Sequence, residues 1–164
     1  PATGGDTQFA NLHAAYDALS DGMKAMVDGL RCHNGGDRTS AHDRKSRAER
    51  YSGASGMKLK DPGDVQTESI HPLVRTHVDT GRKALYMGSH TQCIEGFTPE
   101  ESKPILAQLQ KHIERPELIW RCVGAPGSLA IWDSRCCQHY AIKDYDGQRR
   151  RMHRITIMGE EAPF

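Results

Sequence analysis

The chain has 164 residues and a formal net charge of +1, which is the size of one domain. This near-neutral charge argues against a protein whose main task is to coat nucleic acid or an anionic membrane. No apolar run approaches the roughly 18 residues that a membrane span requires, and no signal peptide opens the chain. The five cysteines form no CxxC pair, which favours a reducing cytoplasm over a disulfide framework or a thiolate zinc site.

The first 33 residues predict two strands and two helices. A short strand is predicted at 7–9, and apolar side chains at helical spacing follow it. Ser20 and Asp21 are typical caps for a second helix. The apolar faces of both helices are predicted to be core, and a further strand is predicted at 31–33.

Residues 34–69 are rich in glycine and poor in large apolar side chains. Between Arg31 and Lys60 the chain carries eight Lys or Arg and three Asp or Glu. A loop of this length within a compact domain is uncommon and is usually functional or mobile. Three interpretations stay open: a solvated excursion, a lid over an anionic substrate, and a basic nucleic-acid-binding segment whose affinity falls steeply with salt.

The rest of the chain predicts strands around one helix. Segments 71–77 and 83–87 flank a turn in which Gly81 supplies a positive φ, as in a hairpin. Thr98 and Glu101 form a capping-box pattern ahead of a helix with an apolar stripe. Further strands are predicted at 118–123, 128–132, 136–141 and 152–158. Few helices beside many short strands predict a mainly β fold with flanking helices, an antiparallel barrel or jelly roll.

Two polar runs, at 132–140 and 148–154, contain the residue types best suited to chemistry. A neutral imidazole such as that of His139 is a good ligand for divalent iron, zinc or copper. If 152–158 is a strand whose alternation continues back to residue 150, Arg150 and Arg154 share a face about 13 Å apart. Guanidinium forks match carboxylate or sulfonate groups in a bidentate way. From the residues alone, a solvated arginine face and a structural histidine remain alternatives.

Several short motifs occur together along nearly the whole chain, and their combination is more specific than any one of them. They are Gly4-Gly-Asp-Thr7, Ala-Tyr-Asp-Ala-Leu-Ser at 15–20, and the segments 71–77, 81–86, 132–133, 138–139 and 149–154. With these motifs the chain resembles the taurine dioxygenase family of iron(II)- and 2-oxoglutarate-dependent oxygenases, which includes alkylsulfatases and phenoxyalkanoate dioxygenases. The resemblance implies a double-stranded β-helix, or jelly roll, that is incomplete at its N-terminus.

The resemblance also implies Fe(II), the co-substrate 2-oxoglutarate, and roles for four residues. His139 corresponds to the family's distant histidine ligand of iron. Arg150 corresponds to the arginine that pairs with the distal carboxylate of 2-oxoglutarate, and Thr7 to the hydroxyl that assists it. Arg154 corresponds to the arginine that grips the anionic head of the substrate. The implied reaction hydroxylates a sulfonate, sulfate ester or aryloxyalkanoate with dioxygen, while 2-oxoglutarate is decarboxylated to succinate.

One part of the family pattern is missing, because its His-x-Asp pair of iron ligands lies upstream of the motif found here at 4–7. The internal pair His77 and Asp79 matches a hairpin turn instead. The pair His112 and Glu114 lies in a predicted helix, where residues two apart point about 200° apart. We therefore expect a fragment that carries one of three iron ligands and is inactive alone.

The alternative is a non-catalytic anion-binding module of the same fold. For either interpretation the expected partners are small anionic organic molecules, with dioxygen for the enzyme. Neither a membrane nor a nucleic acid is expected to bind. Self-association through an exposed strand edge stays open, because an unpaired edge can pair with a second chain.

Overall fold

The described part of the chain is sheet-rich with a few helices. A computed structural model of the protein describes residues 1, 4–35, 68–157 and 159. Its strands are β1 (Thr7–Asn11), β2 (Arg31–Gly35), β3 (Glu68–Pro72), β4 (Val74–Thr76), β5 (Lys83–Leu85), β6 (Thr91–Ile94), β7 (Ile119–Cys122) and β8 (Cys137–Ala141). Its helices are α1 (Leu12–Asp17), α2 (Asp21–Val27) and α3 (Pro99–Ile113), with a 3-10 turn at Pro116–Leu118.

The described strands form three antiparallel sheets, in the orders β7-β1-β8, β3-β2-β6 and β4-β5. In the first sheet the central strand β1 places Phe9 opposite Trp120 on one side and opposite His139 on the other. In the third sheet β4 and β5 form the predicted hairpin, and Gly81 in its turn has a φ of +67°. The first sheet brings residues from both ends of the chain together.

The helices begin where the sequence predicts. The Ser20 hydroxyl accepts a hydrogen bond from the backbone N–H of Met23 at the start of α2. Thr98 and Glu101 form the complete capping box of α3, which satisfies two backbone donors that a helix start leaves free. None of the described helices is long and apolar enough to cross a membrane.

The core lies between the helices and the sheets. Its fully buried large side chains include Leu12, Leu73, Leu85, Ile94, Leu109 and Ile113. The prediction of a buried face on α2 is half right: Val27 is fully buried, but Met26 is 44% exposed. This helix has only seven residues, and Met26 lies beside the buried stripe rather than in it.

Two predicted strands are wrong as far as the chain is described. Residues 128–132 and 151–157 form no ladder with any described strand. Their large apolar side chains are exposed, including Ile131 at 87% and Ile157 at 92%. A strand exists through hydrogen bonds to a neighbouring strand, so an apolar pattern without a neighbour stays irregular.

The predicted loop at 34–69 is shorter than expected at both ends. Its outermost residues belong to β2 and β3, where Asn34 pairs with Ser69 and Gly35 pairs with Glu68. Cross-strand pairing thus takes two residues from each end of the predicted loop. The remaining residues, 36–67, lie outside the described part of the chain, and the lid interpretation falls on them.

Candidate functional site

One face of the β7-β1-β8 sheet collects residues that the sequence singled out. Side chains repeat every two residues along a strand, so Thr7 and Phe9 of β1 point to the same side. Residues directly opposite each other in antiparallel strands also share a side, and Phe9 is opposite both Trp120 and His139. Thr7, Phe9, Trp120 and His139 therefore lie on one side, which we call the site face.

An aromatic cluster covers the middle of the site face. The ring centroid of Phe9 lies 5.7 Å from that of Trp120 and 5.2 Å from that of Trp132. Trp132 in turn lies 5.1 Å from the His139 ring. The guanidinium carbon of Arg154 is 5.5 Å from the centroid of Trp132, within the range of a cation–π contact. Through its ring, Trp132 contacts both His139 and Arg154.

Arg150 reaches the same face beside the start of β1. Its Nε donates to the carbonyl oxygen of Gly5 at 2.8 Å, and its Nη2 lies 3.4 Å from Oγ1 of Thr7. Phe9, which faces His139, is two residues further along β1, or about 7 Å. The guanidinium of Arg150 and the imidazole of His139 therefore lie on one face, at neighbouring levels of the sheet.

The turn before β1 has the shape that Arg150 requires. Gly4 and Gly5 have φ angles of +78° and +76°, a conformation that favours glycine. A Cβ added to Gly5 would lie 2.9 Å from Cδ of Arg150. The Asp144 carboxylate accepts from the backbone N–H of Gly5 at 2.6 Å, and the ring of Tyr145 lies 5.8 Å from the Arg150 guanidinium carbon. These contacts fix the turn and the arginine together.

The imidazole of His139 favours its neutral form. Although the residue as a whole is exposed, desolvation lowers the pKa of His139, and the positive charge of Arg154 lowers it further. A neutral imidazole offers a lone pair to a divalent metal ion. On the site face, His139 thus has the protonation state that metal ligation requires.

Arg150 and Arg154 are held at the site face by side-chain contacts and not by the strand that the sequence predicts. The sequence placed them on one strand, but residues 151–157 form no strand. Arg150 is held by Gly5 and Thr7, and Arg154 lies over the ring of Trp132. The predicted strand at 152–158 is therefore wrong for the described residues. The contacts with Thr7 and Trp132 nevertheless place Arg150 and Arg154 on the same side of the sheet.

The internal pair His77 and Asp79 belongs to a hydrogen-bond network. His77 Nε2 donates to Asp133 at 3.0 Å, and Asp79 accepts from Arg135 at 2.8 Å. Among the described residues, the one group with metal-ligand geometry is His77, Asp133 and Cys136. Arg135 holds the pKa of Asp133 well below its usual value, and burial raises the pKa of the Cys136 thiol. An ion-paired carboxylate and a protonated thiol are poor metal ligands.

The second internal pair, in α3, is also engaged separately. Nε2 of His112 lies 2.8 Å from the carbonyl oxygen of Ala15 in α1. Glu114 follows α3 as its C-cap and accepts from the side chain of Gln110 at 2.7 Å. The two side chains have different partners, so they do not form a chelating pair.

Sequence reasoning missed the residues that support this face. Trp132 was noted only as part of a motif, and Asp144 and Tyr145 received no role. Gly4 and Gly5 belong to another motif. The close approach of Gly5 to Arg150 cannot be read from that motif. No local pattern in the sequence gave a signal for these supporting contacts, because they join segments that are distant in the chain.

The fold and this face define a class of protein. It is an antiparallel sheet protein that presents an imidazole and two guanidinium groups together on one face, with aromatic rings between them. The chain belongs to the taurine catabolism dioxygenase TauD, TfdA family, which it matches over residues 1–156.

Named relatives support this membership. The chain is 38% identical over 167 residues to the (S)-phenoxypropionate/alpha-ketoglutarate-dioxygenase of Sphingobium herbicidovorans, covering 99% of this chain and 55% of that protein. It is 35% identical over 170 residues to the alpha-ketoglutarate-dependent sulfate ester dioxygenase of Pseudomonas putida, covering 98% and 52%. The chain thus spans about half the length of the curated relatives it matches.

Solved structures agree in fold. The crystal structure of AAD-2 in complex with Mn(II) and N-oxalylglycine matches with a TM-score of 0.74 and 29% identity, over 98% of this chain and 60% of that one. A taurine dioxygenase from Burkholderia xenovorans matches with a TM-score of 0.70 and 35% identity, over 90% and 44%. In both cases the amino-acid sequence is similar as well as the fold.

Proposed function

We propose that this chain is part of a jelly-roll dioxygenase that uses Fe(II) and 2-oxoglutarate. The whole protein hydroxylates a small anionic organic substrate with dioxygen, while 2-oxoglutarate is decarboxylated to succinate. The observation that carries the proposal is the contact between Arg150 and Thr7 on the face that also bears His139. The relatives' names indicate the substrate class: a phenoxyalkanoate or a sulfate ester.

His139 fits the role of an iron ligand. Its neutral imidazole is favoured by desolvation and by Arg154, and its position in β8 makes its backbone rigid. The group His77, Asp133 and Cys136, the one metal-ligand cluster among the described residues, does not include His139. We therefore assign this chain one iron ligand, and the others to the part of the family domain that it does not span.

Arg150 and Thr7 fit the distal carboxylate of 2-oxoglutarate. The Nε of Arg150 donates to Gly5 and one hydrogen of its Nη2 to Thr7, which leaves Nη1 and the second hydrogen of Nη2 to face a ligand. A guanidinium binds a carboxylate through charge-assisted hydrogen bonds, and the Thr7 hydroxyl adds a donor beside it. This end of the co-substrate is thus held by the turn and β1.

Arg154 fits the anionic head of the substrate, because its guanidinium lies over Trp132 beside His139. The aromatic cluster of Phe9, Trp120 and Trp132 gives the face an apolar floor against which bound groups can pack. Iron and 2-oxoglutarate, when bound, supply the oxidising chemistry. The chain's own residues bind and orient the co-substrate and the substrate.

Other features of the proposal stay predictions. They are a lid at 34–69, a cytoplasmic location and self-association through a strand edge. None of them is needed for the roles of His139, Arg150 and Arg154.

The test is a titration of the chain with 2-oxoglutarate followed by nuclear magnetic resonance. We expect shifts at the Arg150 Nε signal and at the Gly5 and Thr7 amides. Arg150→Lys is expected to lose them, because an ammonium cannot reproduce the planar fork. Arg149→Lys, an exposed neighbour, is the matched control and retains them. Shifts that persist in Arg150→Lys would contradict the proposal.

A further inference from the structure

The Asp133 carboxylate is the centre of a network that lies beside the site face. The Arg135 Nε donates to both of its oxygens, at 3.0 and 2.9 Å, and the Arg135 backbone N–H donates at 2.8 Å. The Nε2 of His77 donates at 3.0 Å. A carboxylate accepts only, so this contact places the His77 proton on Nε2. Nη2 of Arg135 also donates, at 2.6 Å, so Asp133 accepts five hydrogen bonds and is held in one orientation.

The network fastens two elements to each other. His77 follows β4 in the hairpin, and its backbone N–H donates to the carbonyl of Arg82 across the turn. Its side chain is buried, with 5% of the residue exposed. Arg135 also donates to Asp79 in the same turn, at 2.8 Å. The β4-β5 hairpin is thereby joined to the segment that leads into β8.

That segment carries Trp132, the residue directly before Asp133. The Trp132 ring contacts Phe9, His139 and Arg154. Residues 128–132 belong to no described strand, so no backbone ladder among the described residues holds Trp132 in place. Its nearest anchor along the chain is the carboxylate of Asp133.

We propose that Asp133 is a positioning residue, which sets the place of the Trp132 ring between His139 and Arg154. The inference rests on the proposed function only in taking those two side chains as binding groups. This role differs from metal ligation, and it is additional to the stability that the Asp133 ion pair contributes. In this arrangement Arg135 and His77 act through Asp133, and Asp133 acts through Trp132.

The test measures proton–proton contacts by nuclear Overhauser effects in the whole 164-residue chain. In Asp133→Asn we expect loss of the contacts from Trp132 to His139 and to Phe9. The contact between Phe9 and Trp120, which depends on the sheet alone, is expected to remain. Asp146→Asn is an exposed control and should keep all three contacts. A folded Asp133→Asn with all three contacts unchanged overturns the proposal.

If Asp133→Asn folds but loses the Phe9 to Trp120 contact as well, the sheet itself has changed, and the positioning role is overturned in favour of general stability. If Asp133→Asn does not fold, Arg135→Gln is measured in the same way, since it leaves the carboxylate with His77. Selective loss of the Trp132 contacts in that variant supports the proposal, and unfolding or no change overturns it. The measurement needs neither iron nor 2-oxoglutarate, so its failure is separate from a failure of the proposed function.

Discussion

The guanidinium of Arg150 and the hydroxyl of Thr7 lie 3.4 Å apart, although 143 positions separate them in the chain. They meet because β1 pairs with β8, and the segment after β8 turns back along the start of β1. The same pairing places His139 opposite Phe9, two residues from Thr7. The strand β1, near the beginning of the chain, thus aligns His139 and Arg150, which lie near the end of the chain.

Replacing Thr7 tests whether this hydroxyl contributes to anion binding. Thr7→Val keeps the shape of the side chain and removes its donor. We expect the affinity for 2-oxoglutarate to fall by roughly tenfold, or about 1.4 kcal/mol, as for one lost hydrogen bond to a charged group. Thr7→Ser keeps the hydroxyl and should stay near the native affinity. A native affinity in Thr7→Val, measured by calorimetry, would show that the hydroxyl does not contribute and would contradict the role of Thr7.

A side chain at Gly5 should displace Arg150. Gly5→Ala adds a Cβ 2.9 Å from the Arg150 Cδ at a φ of +76°, so we expect a loss of stability of about 1–2 kcal/mol together with weaker 2-oxoglutarate binding. Gly81→Ala is the matched control, since it strains a φ of +67° with no atom within 4 Å. Chemical unfolding should show a loss in both variants, and binding should fall in Gly5→Ala alone. A native affinity in Gly5→Ala would refute the close fit.

The pKa of Asp133 predicts an acid dependence of stability. The hydrogen bonds from Arg135, and next those from His77, hold this pKa well below its usual value. The folded state therefore binds the proton more weakly than the unfolded state. The stabilisation is fully present above about pH 4 and is lost as pH falls through the folded-state pKa.

In Asp133→Asn this acid dependence should disappear. We expect the free energy of unfolding in urea to fall less steeply below about pH 4 than in the native chain. The exposed control Asp146→Asn should keep the native slope. If the free energy of unfolding falls with pH equally steeply in the native chain and in Asp133→Asn, the ion pair between Asp133 and Arg135 does not contribute as predicted.

The isolated chain is predicted to show no turnover. Its described residues place one histidine, the proposed iron ligand His139, on the site face, and a facial triad requires two histidines and a carboxylate. Succinate measured with iron, 2-oxoglutarate, ascorbate and an alkyl sulfate should stay at the level of a protein-free blank. Substrate-dependent succinate from the purified chain would refute the assignment of a single iron ligand.

Local features could be predicted from the sequence because their causes are local. The capping box at Thr98 and the turn at Gly81 each depend on a few adjacent residues. The strands at 128–132 and 152–158 could not be judged in this way, because a strand requires a partner that a periodic pattern does not contain. Hydrophobic alternation shows only that a segment could pair.

The candidate site shows the same difference between local and long-range features. The residue types of His139 and Arg150 were visible, but their common face depends on the register between β1 and β8. The supporting contacts from Asp144 and Trp132 cross between distant segments. No spacing within one motif encodes them.

The central claim is that His139 and Arg150 bind one ligand from the same face. The most direct measurement adds Mn(II) to the chain saturated with N-oxalylglycine and follows paramagnetic broadening. We predict that the signals of His139, Arg150 and Thr7 broaden together, and that His139→Gln abolishes the broadening. Broadening centred on His77 and Cys136, or broadening of His139 while Arg150 and Thr7 stay sharp, would contradict the account.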